Sequence, residues 1–337
     1  MTVFATATGI GSWPGTSARQ AAEVVVGELG VAMAHIVELP ARGVGADMIG
    51  RAGGLLVDIA IDTSPRGYRL VARPGAVTRR AASLLGEDAD ALEEAWENAG
   101  LRGSGHPVKI QAPGPLTLAA ELELSNGHRA ITDPGATRDL AASLAEGLGV
   151  HRRELSRRLD TPVVVQLDEP RLAAAVAGEL AGVTALSPVA AVDEAVAIAM
   201  LDGCAAGAGP DVLVHSCAAA IPWNLLRRSA VRAVAIDASR PGNIDYDGLA
   251  EFIDADRTVL LGVVPATAPP HPPSVEQVAA AAAAVTDRIG FPRSVLVERV
   301  GISPACGLAG ATAQWARAAA GLAYKAREGL AADPTAV

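Results

Sequence analysis

The sequence has no run of basic residues and few aromatic ones, only 3% of its 337 positions. A nucleic-acid groove needs clustered Lys and Arg with aromatic rings to stack on bases, so no nucleic-acid partner is expected. The formal net charge of -9 points the same way. Cysteine is confined to Cys204, Cys217 and Cys306. That is too few for a disulfide framework, and a reduced, cytoplasmic setting is the expectation. No apolar stretch of roughly 18 residues escapes a charge or a Gly/Pro break, so no membrane span is expected. Residues 1–11 lack a basic segment ahead of an apolar one and do not read as a signal peptide. No internal sequence repeat is visible.

What the chain does have is apolar mass, 50% of its residues, divided by a regular alternation. Short apolar runs end in polar, Gly or Pro residues, and longer amphipathic or Ala-rich stretches lie between most of them. Strand candidates end at Gly9-Ile10-Gly11-Ser12 and at His35-Ile36-Val37-Glu38. The next are Val108-Lys109-Ile110-Gln111, Val163-Val164-Val165-Gln166-Leu167-Asp168 and Val212-Leu213-Val214-His215-Ser216-Cys217. The last three are Val234-Ala235-Ile236-Asp237, residues 259–264 and residues 295–300. Helical pattern covers 18–29, 140–159, 192–205, 275–289 and 312–327. Eight β-then-α units predict an α/β fold, a TIM (β/α)8 barrel forming one domain over 1–337, with a loose tail from about 329. An open doubly wound sheet would carry a Gly-rich phosphate loop after its first strand; Gly9-Ile10-Gly11-Ser12-Trp13-Pro14 does not match one. Residues 55–73 read as a β-hairpin, 57–61 and 68–71 joined by Ser64-Pro65-Arg66-Gly67, inserted near the barrel mouth.

The unusual residues sit at the C-terminal ends of these strands, where a barrel builds its active site. His215 and Cys217 are two apart on one strand and share a face, so a nitrogen and a sulfur can aim at one point. Asp237 ends the next strand, and Cys306 follows the last one in Ser303-Pro304-Ala305-Cys306-Gly307-Leu308. Together they offer N, S, O and S donors of the kind that hold Zn2+. The competing reading makes both cysteines small core residues and the histidine a satisfied polar one. Glu38 and Asp168 end two strands and could hold an ammonium group; helix capping or surface charge is the alternative. Ser12 and the backbone around it could bind a carboxylate, or simply form a turn. His271, in Pro269-Pro270-His271-Pro272-Pro273, is a candidate acid or base, although the surrounding prolines favour a rigid exposed loop.

Taken in order, these blocks resemble the C-terminal catalytic barrel of the cobalamin-independent methionine synthase family. Gly9-Ile10-Gly11-Ser12-Trp13-Pro14 is similar to its opening I-G-S-[FW]-P, and Glu38 to the acid after its second strand. Gln166-Leu167-Asp168-Glu169-Pro170 resembles Q-[IL]-D-E-P, His215-Ser216-Cys217 resembles H-x-C, and Pro304-Ala305-Cys306-Gly307-Leu308 resembles P-x-C-G-L. The resemblance implies a zinc-dependent methyltransferase that methylates the thiol of L-homocysteine to give methionine. It implies His215, Cys217 and Cys306 as zinc ligands, with Asp237 where the family has a ligating Glu. It implies Ile10 and Ser12 at the substrate carboxylate, and Glu38 and Asp168 at its ammonium. The family has a His after strand seven; Ala268 occupies that place here, and His271 lies three residues on. Full-length members carry a second, N-terminal barrel that helps hold methyltetrahydrofolate. These 337 residues resemble the catalytic half alone, so a corrinoid, a corrinoid protein or a folate is the expected methyl donor.

Two other readings compete. An enzyme of the uroporphyrinogen decarboxylase superfamily would share the barrel and need cationic side chains for porphyrin carboxylates. A degenerate, non-catalytic barrel would keep zinc as a closed structural site with four protein ligands.

Overall fold

The β-branched runs form strands that pair side by side in parallel, because helical crossovers return the chain to the same end each time. The computed structural model describes residues 2–184, 187–239, 242 and 244–336. Its strands are β1 (Ala34–His35), β2 (Ala60–Ser64), β3 (Gly67–Val71), β4 (Val108–Pro113), β5 (Leu122–Glu123), β6 (Val163–Asp168), β7 (Val212–Ser216), β8 (Ala233–Asp237), β9 (Thr258–Val264) and β10 (Val300–Pro304). Seven of them make one sheet in the order β1-β4-β6-β7-β8-β9-β10, parallel throughout. Strands β4, β6, β7, β9 and β10 are buried at every residue, as expected for a parallel sheet covered on both faces.

The eighth strand expected near residues 9–12 is reduced to isolated bridges. Ala7 bridges Ile302 of β10, and Thr8 bridges Met33, just before β1. The Thr8 amide donates to the Ile302 carbonyl at 3.2 Å, and the Ile302 amide donates to the Thr6 carbonyl at 3.0 Å. One N-terminal segment thus touches both edges of the seven-stranded sheet. Inside lies a small apolar cluster that includes Phe4, Ile10, Met33, Val164, Leu213 and Leu260. Two-residue periodicity then puts Gln166 and Asp168 on the face of Val164, and His215 on the face of Leu213. The interior is apolar at one end and turns polar toward the strand C-termini.

Several sequence expectations need correction. Residues 295–300 are not the last strand: Ser294–Glu298 is helical, with Leu296 its buried residue. The strand is Val300–Pro304, paired to β9 from Val300 opposite Val259 onward. Its Gly, Ser and Pro are poor strand formers, which hid it behind the Val-rich helix. A helix over Ala76–Asn98, 23 residues long, also went unread. It buries Ala81, Leu85, Ala89, Leu92 and Trp96 and packs on helix Ala18–Leu29. In the 55–73 segment, β2 and β3 pair antiparallel from Ala60 opposite Val71 to Ser64 opposite Gly67. The first strand starts at Ala60 instead of residue 57 because Asp58 takes a left-handed backbone, φ 57°. The final helix, Ala313–Ala332, continues past residue 329 and buries Leu330 completely.

Gly301 shows why a poor strand former sits in β10. A Cβ there would lie 2.5 Å from the Phe4 carbonyl oxygen and 2.7 Å from that of Thr6. Gly301→Ala is therefore expected to push the N-terminal segment off β10 and cost about 1–3 kcal/mol. Urea denaturation checks this, and an unchanged midpoint would show that the segment does not depend on that approach.

Candidate metal centre

Pairing between β6 and β7 sets Asp168 opposite His215. The His215 Nδ1 lies 2.7 Å from the Asp168 Oδ1. A carboxylate acceptor there keeps the proton on Nδ1 and leaves Nε2 as a lone-pair donor. Nε2 is buried and has no hydrogen-bond partner. One ligand atom each from His215, Cys217 and Cys306 falls within a span of 4.8 Å. Cys217 follows the end of β7. Cys306 arrives on the loop after β10, where the Ala305 amide donates to the Val264 carbonyl at 2.8 Å and the Leu308 amide to the Ser12 carbonyl at 2.9 Å. Gly307 is needed for that approach, since a Cβ would sit 2.0 Å from the Ser12 Oγ.

The thiols influence each other. A hydrogen bond with Cys306, helped by nearby His215, holds the Cys217 thiol down at about 6. The same contact, with burial, pushes the Cys306 thiol up. A buried imidazole Nε2 without a hydrogen-bond partner, beside two close thiols, fits a zinc-type ion, which accepts N and S donors. Cys204 belongs elsewhere, buried in helix Glu194–Ala208, where burial pushes its thiol up to about 12.

Behind these donors lies a buried polar layer. Gln166 Nε2 donates to Asp168 Oδ1 at 2.8 Å and to the Ile10 carbonyl at 2.7 Å. The fully buried Lys109 donates to Gln166 Oε1 and lies 3.4 Å from the Ile10 carbonyl. Burial brings Lys109 down to about 7, against the pull of Asp168 and Glu38. Burial raises Glu38 to about 7, opposed by Arg51, whose Nη1 is 3.9 Å from Glu38 Oε1. Arg51 and Arg42 both face the buried Asp88, at 3.5 and 2.7 Å. Ser12 is half-buried and pairs by backbone with Glu38.

The sequence candidates divide accordingly. His215, Cys217 and Cys306 come together, with Asp168 against the histidine. Asp168 was expected only at an ammonium group; its contact with His215 adds a second role, orienting a ligand. The Ile10 carbonyl is taken by Gln166. Asp237 lies outside the three-residue cluster, its Oδ1 accepting from the Ser239 amide at 2.9 Å and hydroxyl at 2.6 Å. His271 is exposed on the loop after β9, as is Ala268. Sequence reasoning passed over Lys109, although a lysine flanked by Val108 and Ile110 on a strand was a visible signal. Glu169, next to Asp168, faces the other way. It accepts from the Leu116 amide at 2.9 Å, the Thr117 amide at 2.9 Å and the Thr117 hydroxyl at 2.7 Å, capping helix Pro115–Glu121.

Comparison with known proteins adds to this geometry. Residues 4–328 match the family model described as cobalamin-independent synthase, catalytic domain. A B12-independent methionine synthase from Shewanella sp. W3-18-1, solved in complex with selenomethionine, superposes with a TM-score of 0.64 at 13% identity, covering 99% of this chain and 100% of that one. A methyltransferase from Methanosarcina mazei superposes with a TM-score of 0.57 at 14% identity, covering 98% and 92%. No curated protein sequence matches the chain. At these identities the structural likeness speaks for the fold. Among the described residues, no helix is long and apolar enough to cross a membrane.

Because Asp168 orients His215, Asp168→Asn is expected to weaken metal binding by about 10–100-fold. Competition with a chromogenic chelator measures this. Unchanged affinity would mean that the Asp168 contact does nothing for the ligand set.

Proposed function

The chain belongs to the cobalamin-independent synthase family by its catalytic domain, matched over residues 4–328, and on that premise we propose that it methylates the thiol of L-homocysteine to give methionine. The observation that carries this reading is the buried, unpartnered His215 Nε2 beside two thiols, within a mouth that also holds the carboxylates of Glu38 and Asp168. Zinc held by His215, Cys217 and Cys306 would supply a Lewis acid that favours the thiolate form of the substrate sulfur. A three-residue ligand set leaves a position for that sulfur, and Asp237 is the proposed occupant when no substrate is bound.

The chain's own residues account for the rest of the substrate. Glu38 and Asp168 hold the ammonium group, and the Asp168 carboxylate serves His215 at the same time. Backbone groups of Ile10 and Ser12 face the substrate carboxylate, with Gln166 and Lys109 steadying the Ile10 peptide from behind. Burial of this layer strengthens each charge–charge contact relative to water. His271 has no proton-transfer role in this reading. The porphyrin-carboxylate and non-catalytic readings are less well supported, since the strand ends gather acids and thiols around a three-donor set. A hairpin poised near the barrel mouth and a cytoplasmic setting are part of the same proposal.

Cys217→Ser and Cys306→Ser are each expected to lose zinc, measured by elemental analysis, while keeping a cooperative thermal transition. Full zinc retention in both would remove the ligand assignment. Homocysteine binding should also depend on Glu38. Its folded value of about 7 means that the carboxylate is protonated as pH falls below that point and the ammonium loses its partner. Affinity should then fall by up to roughly tenfold per pH unit below 7, beyond the contribution of the thiol itself. In Glu38→Gln only the thiol contribution should remain, and identical pH curves for variant and parent would refute the ammonium role.

A further inference from the structure

We propose that Arg51 is a positioning residue for the substrate's amino group: shared between Glu38 and Asp88, it keeps the Glu38 carboxylate charged without occupying its oxygens. This rests on the reading of Glu38 given above. Arg51 lies in helix Met48–Ala52 and is buried. Its Nη1 is 3.9 Å from Glu38 Oε1, and its Nε is 3.5 Å from Asp88 Oδ2. Both separations exceed a good hydrogen bond, and Nε and Nη2 are buried with no hydrogen-bond partner. The guanidinium therefore acts on Glu38 through its charge. It uses none of the lone pairs that an incoming ammonium needs.

Neutralising Asp88 does not require Arg51. Asp88 is fully buried in helix Ala76–Asn98, and Arg42 Nη2 already donates to its two oxygens at 2.7 and 2.9 Å. A second buried guanidinium with unpaired N–H groups is costly, and Asp88 alone gives no reason for it. Glu38 does. The local structure also holds Arg51 between the two carboxylates. Asp47 caps the helix, accepting from the Gly50 amide at 3.0 Å, and it accepts from the Tyr68 hydroxyl of β3 as well. That hydroxyl accepts from the Gly45 amide at 2.9 Å. The hairpin thus fixes the turn that carries Arg51.

Few other groups face Glu38. Burial raises it to about 7, and after burial Arg51 has the largest effect, drawing it down. Asp168 of β6 pushes it up, while Gln111 and Lys109 of β4 draw it down. His151 of helix Pro134–Leu159 lies near Arg51. Burial, with Arg51 and Arg158, brings His151 down to about 3, so it adds no charge in the neutral range.

The test uses the zinc-loaded full chain with 13C-labelled glutamate carboxyls. The Glu38 resonance is assigned by its loss in Glu38→Gln, and its titration midpoint is followed by NMR. L-Methionine, whose thioether has no proton to lose, is titrated by calorimetry across the same pH range. In Arg51→Met the Glu38 midpoint is expected to rise by about one to three pH units. The carboxylate is then protonated over more of the neutral range, so methionine affinity at pH 7 falls at least about fivefold, and the gap narrows as pH rises. Arg51→Lys keeps the charge, and a contact of 3.9 Å makes no use of the guanidinium fork, so midpoint and affinity stay near the parent's. Asp88→Asn removes a neighbouring negative charge and leaves Arg51 to Glu38, so the midpoint falls. This variant tests the coupling with Arg51 in place, even where Arg51→Met unfolds. Shifts of opposite sign are a result that loosening of the site does not produce. An unmoved midpoint in Arg51→Met, or a rise in both Arg51→Met and Asp88→Asn, would overturn the assignment. So would an Arg51→Lys variant that binds methionine as weakly as Arg51→Met. If the midpoints shift as expected while the parent binds neither methionine nor homocysteine, the amino-acid reading falls and the charge coupling of Arg51 to Glu38 stands.

Discussion

The 2.7 Å contact between Asp168 and His215 is the constraint on which the rest of the mouth depends. It joins the ends of two neighbouring strands, engages one imidazole nitrogen and leaves the other beside two thiols. Asp168 is held in turn by Gln166, and Gln166 by Lys109 and the Ile10 peptide. The N-terminal segment, three strands and a candidate metal ligand are thus linked by hydrogen bonds that are all buried. Disturbing one member leaves a polar atom unpaired where water does not reach, which costs more than the bond itself contributes.

Burying so many charges is unfavourable unless they are paired. Glu38, Arg51, Asp88 and Arg42 form one chain of opposite charges beneath the mouth, and Lys109 faces Asp168 and Glu38 from another strand. A core of apolar residues would be at least as stable as such a network. The burial that raises Glu38 and lowers Lys109, both to about 7, leaves their charges responsive to an incoming ammonium and carboxylate. In the proposed reaction the network therefore trades stability for a polar surface already shaped to an amino acid.

The same economy of space appears in the backbone. Gly301 and Gly307 stand where the N-terminal segment crosses β10 and the Cys306 loop, and any side chain there would collide with it. The segment bridges both edges of the sheet and also forms one wall of the mouth. Closure of the fold and construction of the site are one event in this chain, because residues 6–12 serve both.

Much of this was legible in the sequence. Alternating strand and helix periods identified a parallel α/β fold, and two-residue spacing placed His215 with Cys217, because strand periodicity is local. Helices 18–29 and 275–289 were readable to the residue from their amphipathic or Ala-rich pattern. What failed depended on partners distant in the chain. Residues 295–298 have the composition of a strand, yet Val300–Pro304 is the one that pairs with β9. Lys109 stood visibly between two strand formers, but only closure of the fold brings its ammonium to Gln166 and the Ile10 peptide. The sequence alone determined the element types and the donor chemistry, through propensity and period. The tertiary structure decided which donors meet and which way Asp168 and Glu169 face, because those outcomes follow from strand register and from the burial that closure imposes.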